Sequence, residues 1–150
     1  MKKLLMVGAF VLVATVVYAQ DAYIELLRSD LRTEKVGIIT QVMQFTAEEA
    51  DAFWPVYREY ELELTKLGDV RIGLIKDYVQ HYETMTDAKA RELVKKVLDL
   101  ERKRTSLKKK YFNRFDRVLP SKTVAKFFQL ENQILLLMDL QIASELPFIK

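Results

Sequence analysis

Apolar residues return every three or four positions through three long stretches of the chain, which is the period of an amphipathic α-helix. In chain order these positions are Leu27, Leu31, Ile38, Val42 and Phe45, then Phe53, Tyr57, Tyr60, Leu64 and Leu67, then Leu93, Val97, Leu100, Leu107, Tyr111, Phe115 and Val118. No stretch alternates between apolar and polar residues, so we predict no β-sheet. The pattern therefore predicts an all-α protein.

Capping residues predict where the helices begin and end. Thr46 followed by Glu49 matches a capping box, in which each side chain accepts a hydrogen bond from the other residue's backbone N–H. Thr86 provides a second N-cap, Pro120 suits the start of a helix, and Pro147 ends the last one. The predicted spans are 22–44, 47–83, 87–118 and 121–146.

The second helix contains residues that weaken a helix. Pro55 lacks a backbone donor about two turns from the start, so we predict a kink near residues 52–54. Gly68 and Gly73 each cost about 1 kcal/mol relative to alanine, and the helix is expected to bend there too. A kinked long helix predicts an elongated and curved bundle.

The fourth helix is apolar nearly all round, with the run ILLLMDLQIA over residues 134–143. Such a helix is expected to be enclosed, either by the other three helices or partly by a second subunit. Asp139 and Gln141 make the run too polar for a membrane span. We therefore expect a four-helix bundle that forms a homodimer.

The N-terminus carries the pattern of a secretory signal peptide. Lys2 and Lys3 precede an apolar run, and small residues at Val17 and Ala19 predict cleavage after Ala19. The prediction is a signal peptide over 1–19, a single all-helical domain over 20–150 and a periplasmic location. Cleavage removes two lysines and lowers the formal charge from +3 to +1, and the absence of cysteine excludes a disulfide framework.

The candidate chemistry for catalysis or metal binding is sparse. The single histidine, His81, is expected near the end of the second helix as a surface or capping residue. Glu59, Glu61 and Glu63 are spaced by two and are predicted to fan around a solvated face. Met43, Met85 and Met138 are scattered, so we predict no metal, no cofactor and no enzymatic activity.

The stretch ERKRTSLKKKYFNRFDR, residues 101–117, is strongly basic and contains three aromatic rings. Its candidate client-binding residues are Arg102, Lys103, Arg104, Lys108, Lys109, Lys110, Phe112, Arg114 and Arg117. A nucleic-acid role is disfavoured, because an exported protein of nearly neutral charge seldom meets nucleic acid. Two interpretations remain open: these cations pair with the acids of residues 48–63, or they capture acidic unfolded chains while the exposed ring of Phe112 adds apolar contact.

The stretch FTAEE at the start of the second helix carries a resemblance to the Spy/CpxP-like periplasmic proteins, whose hallmark is a Leu-Thr-x-x-Gln motif. Phe45 stands for the leucine, Thr46 matches, and Glu49 stands for the glutamine, which a capping box accepts equally well. The second copy of the motif corresponds to LPSKT, in which Leu119 matches.

The resemblance implies a four-helix monomer, an antiparallel cradle-shaped dimer and a basic, partly apolar concave face. It also implies an ATP-independent chaperone or envelope-stress accessory whose partners are unfolded or envelope proteins. Some relatives bind metals, which the single histidine disfavours here. The rival interpretation is a structural or signalling subunit that binds one specific envelope partner, and an enzyme ranks a distant third.

Overall fold

The computed structural model describes residues 33–149, and in this range the chain is all-α with no β-strand. Helix α1 includes residues 33–43, α2 is Ala47–His81, α3 is Asp87–Phe115 and α4 is Ser121–Glu145. A 3₁₀ turn, Tyr82–Thr84, lies between α2 and α3. The predicted all-α fold is confirmed, and the predicted starts of α2, α3 and α4 are correct. The signal peptide and the start of the first helix lie outside the described residues.

The predicted caps form as the sequence indicated. Thr46 N donates to Glu49 Oε2 at 3.1 Å and Glu49 N donates to Thr46 Oγ1 at 3.2 Å, which completes the capping box of α2. Thr86 caps α3 by accepting from Lys89 N at 3.2 Å. Pro120 occupies the N-cap position of α4, one residue before the first helical position, and α4 ends two residues before Pro147.

Pro55 does not end α2, which continues through it to His81. Its missing N–H removes the partner of the Asp51 carbonyl, and both residues are exposed, so water can hydrate that carbonyl. The kink near Pro55, the bends at Gly68 and Gly73 and the resulting curvature stay predictions.

Among the described residues, 33–42 and 43–149 belong to two different compact units, and each is described by itself. In the first unit the predicted apolar stripe is one position off. Ile38 and Val42 are exposed, whereas Ile39 is fully buried. Adjacent apolar pairs in VGIITQVM make two neighbouring stripes equally apolar, so periodicity alone did not discriminate between them.

The second unit is built on an antiparallel hairpin of α2 and α3, with α4 packed on both helices. Aromatic rings fill its centre, and Phe127 of α4 lies 4.9 Å from Phe53 of α2 and 5.0 Å from Phe115 of α3, measured between ring centroids. The predicted core of α3 is confirmed at five positions, but Val97 and Val118 are exposed. The core therefore lies where the three helices meet.

The prediction that α4 is enclosed by the other helices is wrong. Leu136, Leu137 and Leu140 are 68%, 67% and 64% exposed. A helix that packs on two neighbours buries only one stripe, and several of its other apolar residues stay on the surface. The buried residues of α4 are Val124, Phe127, Leu130, Glu131 and Leu135. The other alternative, contact with a second subunit, remains a proposal.

Candidate functional site: the basic face of α3

Helix α3 is the most strongly charged element of the described chain. Its 29 residues contain eleven Lys and Arg and four Asp and Glu, a formal charge of +7. Its hairpin partner α2 contains four Lys and Arg and eight Asp and Glu, a formal charge of −4 with the histidine neutral. The hairpin therefore joins a basic helix to an acidic one, and the pairing of individual cations decides how much basic surface remains.

Two of the candidate client-binding cations pair with acids of α2. Lys110 Nζ lies 2.7 Å from Glu63 Oε1, and Arg114 Nη1 lies 2.5 Å from Glu59 Oε2. Tyr111 also donates to Glu63 Oε1 at 2.8 Å. The side chains of Glu59 and Glu63 are 57% and 37% exposed, so they are solvated in part as predicted. The prediction missed their ion pairs, which form because residues four apart share a helix face and this face meets α3.

Two other candidates, Arg102 and Lys103, pair within α3. Arg102 Nη2 lies 2.5 Å from Asp99 Oδ1 and Lys103 Nζ lies 2.7 Å from Asp99 Oδ2. One carboxylate thus faces two cations that are both well exposed. This cluster keeps a net positive charge, and such exposed pairs contribute about 0–1 kcal/mol to stability.

Arg104 and Lys108 turn toward α4. Arg104 Nη1 lies 3.1 Å from Glu101 Oε1 and 3.4 Å from Asp139 Oδ2, and its side chain is only 13% exposed. Lys108 Nζ donates to Asn132 Oδ1 at 2.7 Å. Arg104 is therefore part of the packing between helices and offers little surface to a client.

Of the predicted site residues, three are exposed and available to contact a client: Lys109, Phe112 and Arg117. Lys109 and Arg117 are exposed and form no ion pair with any residue in 33–149. Phe112 is 43% exposed, as expected from its place one position off the core stripe, and its ring contacts Phe128 at 5.9 Å. Lys109 and Phe112 are three residues apart on one helix face, so a cation and an apolar ring lie side by side.

The motif residues Phe45, Thr46 and Glu49 have a structural use. Phe45 packs its ring 4.5 Å from that of Phe53, and Glu49 Oε1 accepts from the Thr123 hydroxyl at 2.8 Å. This hydrogen bond from Thr123, together with the one from Thr46 N, holds the pKa of Glu49 below its usual range. The capping box therefore also ties the start of α2 to the first turn of α4.

Sequence reasoning missed two acidic residues of α4 that join helices. Glu131 is 0% exposed and its Oε1 accepts from the Tyr60 hydroxyl at 3.1 Å. Asp139 pairs with Arg71 of α2 as well as Arg104 of α3. The available signal was their spacing, because 131, 135 and 139 are four apart and share the buried face with Leu135.

His81 is the last residue of α2, and its Nδ1 lies 2.9 Å from the Asp77 carbonyl oxygen. Within residues 33–149 no three His, Cys, Asp or Glu side chains are grouped as a metal site requires. None of the helices in that range is both long enough and apolar enough to cross a membrane.

No known protein family, curated protein or solved structure matches the chain.

The ion pairs between α2 and α3 are expected to make stability fall in acid. The hydrogen bonds from Arg114 to Glu59 and from Lys110 and Tyr111 to Glu63 hold the pKa of each carboxyl below its usual range. Because these pKa values are lower in the folded state, the stabilisation is complete above the ordinary glutamate pKa of about 4.3 and is lost as the pH falls below it.

Urea unfolding at neutral pH and at about pH 3 measures this loss. The variant with Glu59→Gln and Glu63→Gln is expected to lose less stability than the wild type on acidification. The control carries Glu48→Gln and Asp51→Asn, two exposed acids of α2 that form no ion pair with residues in 33–149. Equal losses in both double variants would contradict the assignment.

Proposed function

We propose that this protein is an exported, non-enzymatic binding protein that acts as an ATP-independent chaperone or envelope-stress accessory of the Spy type. The observation that supports the proposal is the basic helix α3, which places the exposed ring of Phe112 beside the open cation Lys109. The export depends on the predicted signal peptide over 1–19. The partners of such a protein are unfolded or envelope proteins.

Binding begins with long-range attraction in this proposal. The net positive charge of α3 draws an acidic, unfolded chain toward the surface and raises the association rate. Short-range contact then comes from Phe112 and from the apolar stems of lysine and arginine side chains. Weak apolar contact of this kind suits a chaperone, because clients of different sequence can bind and leave again.

The proposal predicts that the wild-type protein slows the aggregation of two unrelated acidic client proteins. Changing both Lys109 and Arg117 to glutamate is expected to slow client association roughly two- to tenfold at low salt. Salt at about 0.1 M screens charges beyond roughly 10 Å and is expected to shrink that difference. Stopped-flow association and light scattering measure the two effects.

A second double variant separates client binding from folding. Lys110→Glu with Arg114→Glu reverses the two cations that pair with Glu63 and Glu59, so it is expected to lower the melting temperature. Lys109→Glu with Arg117→Glu breaks no ion pair within residues 33–149, and its melting temperature is expected to stay close to that of the wild type. Full client activity in this second variant would refute the proposed surface.

The alternative function, a subunit that binds one specific envelope partner, draws support from the exposed leucines of α4. Leu136, Leu137 and Leu140 are all exposed and lie within about one helical turn of one another, so they form an apolar patch. A protein with this alternative function would bind one partner tightly, whereas a chaperone binds several unrelated clients. The aggregation assay with two clients therefore distinguishes the two functions.

The same patch supports the proposed homodimer. Leu136 and Leu140 are one turn apart and Leu137 lies beside them, so a twofold axis would bring six leucines together. Burying one leucine side chain contributes about 1.5–3 kcal/mol. We expect sedimentation to detect dimers on the order of tens of micromolar, where weak dimers form.

Glutamate at both Leu137 and Leu140 is expected to give a folded monomer. Leu62→Glu with Val79→Glu is the matched control, because those side chains are equally exposed but lie on α2. A wild-type protein that is monomeric throughout this range, or a control that dissociates as readily, would contradict the role of the α4 patch.

A further inference from the structure

A groove opens between α2 and α3 at a different part of the hairpin from Phe112 and Lys109. It is open to solvent, and its volume of about 310 Å³ lies at the lower end of the range for small-molecule sites. Val70 and Leu74 of α2 and Leu100 of α3 supply its apolar side chains. Three cations and one carboxylate complete the lining, with a net charge of +2: Lys95, Lys96, Lys103 and Asp99. Apolar lining beside several ammonium groups is the chemistry that an anionic amphiphile needs.

The groove runs along the helices, because its lining residues recur at four-residue steps on both of them. Val70 and Leu74 are one turn apart on α2, and Lys95 and Lys103 are about 12 Å apart along the α3 axis at 1.5 Å per residue. An extended chain without branches fits such a site better than a bulky ring system. An acyl chain of medium length would extend over roughly the distance between Lys95 and Lys103.

The electrostatics favour an anion over a cation. Lys103 shares Asp99 with Arg102, and Lys96 Nζ lies 2.5 Å from Glu92 Oε1, which also lies 3.6 Å from Lys89. Asp99 therefore faces two cations and that cluster keeps a net positive charge, whereas Lys89 also pairs with Asp77 at 2.8 Å, so the cluster around Glu92 is neutral overall.

Lys95 is the cation of the groove that is open to a ligand. It is exposed and forms no ion pair with any residue in the described range 33–149. Its ammonium group can therefore accept an anionic head group without first giving up a partner.

We propose that this groove binds a free fatty acid of medium chain length. The acyl chain lies against Val70, Leu74 and Leu100, and the carboxylate is held by Lys95 at the rim. The site lies apart from Lys109 and Phe112 but includes Lys103 of the candidate client-binding residues, so the protein would have a small-molecule ligand in addition to protein partners. Loss of one activity in a variant need not affect the other.

Titration calorimetry of the purified protein with octanoate, decanoate and dodecanoate, each below its micelle-forming concentration, tests the proposal. Every added methylene that becomes buried is expected to tighten binding about fourfold, until the chain outgrows the groove. Decyltrimethylammonium, with the same chain and a cationic head, is expected to bind at least tenfold more weakly than decanoate. Absence of binding by all three carboxylates, or equal binding of the cationic amphiphile, would overturn the proposal.

Two pairs of variants locate the ligand. Val70→Glu places a carboxylate in the groove and is expected to weaken decanoate binding more than tenfold. Val79→Glu changes an equally accessible valine of α2 outside the groove and is expected to leave binding unchanged. Circular dichroism checks that both variants keep their helices.

Lys95→Ala is expected to weaken decanoate binding severalfold, and Lys109→Ala, which removes an open lysine of α3 outside the groove, is expected to have no effect. An unchanged affinity in Lys95→Ala would refute the assignment of the head group. Suppression of client aggregation by the Val70→Glu variant at the wild-type level would show that the proposed chaperone function stands even where fatty acid binding is lost.

Discussion

Replacing Phe127 by alanine is expected to lower the free energy of unfolding by about 3–5 kcal/mol. The ring is fully buried where α2, α3 and α4 meet. Its centroid lies within 5.2 Å of the rings of Phe53, Phe115 and Phe128. Truncation removes the apolar contact of all three helices at once and leaves a cavity that the surrounding rigid rings cannot readily fill.

Urea unfolding followed by circular dichroism measures the loss, and Phe112→Ala is the matched control. The Phe112 ring is partly in water and contacts one aromatic neighbour, Phe128, so its removal is expected to cost less than about 1 kcal/mol. Similar losses in the two variants would mean that Phe127 is not the centre of the core.

The second large effect is expected at the buried hydrogen bond between Tyr60 and Glu131. Tyr60→Phe removes the hydroxyl that donates to Glu131 Oε1 and is expected to destabilise the fold by about 1–3 kcal/mol, because a buried acceptor loses its donor. Burial and the neighbouring Glu131 also raise the pKa of Tyr60 well above its usual value, so its hydroxyl keeps its proton and remains a donor at neutral pH.

The control for this prediction is Tyr57→Phe. The Tyr57 hydroxyl donates to Glu61 Oε2 at 3.2 Å, and Glu61 is partly exposed, so water can take the place of the hydroxyl. The expected loss is below about 1 kcal/mol. Combining Tyr60→Phe with Glu131→Leu is expected to cost less than the sum of the two single losses, because the two groups interact, whereas an additive loss would argue against the pairing.

The helical layout could be predicted because its signals are local. The capping box of Thr46 and Glu49 and the cap at Thr86 each involve residues three apart, and Pro147 acts on the residues beside it. Interactions between residues so close in the chain can be recognised from a few adjacent sequence positions. The starts of three helices therefore followed directly from the sequence.

The partners of the charged residues could not be predicted from local signals. Tyr60 and Glu131 are 71 positions apart, and the separation of Lys110 from Glu63 is 47. The sequence indicated opposite charges on α2 and α3 and left their pairing open. Lys110 and Arg114 pair across the hairpin, while Lys109 stays open, because a helix turns each successive side chain by about 100°.

The error about α4 has a geometric origin. Hydrophobic periodicity reports how much of a helix is apolar, but it does not report how many neighbours are available to cover that surface. Packing on α2 and α3 buries Phe127 and Leu135, and Leu137 points away from both. Composition alone could not distinguish a covered leucine from an exposed one.

The bridge from Asp139 to Arg71 and Arg104 has a consequence for the uniqueness of the fold. A helix that is apolar nearly all round can rotate about its own axis with little change in the apolar area that it buries. Asp139 removes this rotational degeneracy, since a turn of about 100° would carry its carboxylate away from both arginines. Asp139 thus acts together with the buried hydrogen bond of Glu131 to favour one orientation of α4, and that orientation determines which leucines the protein presents at its surface.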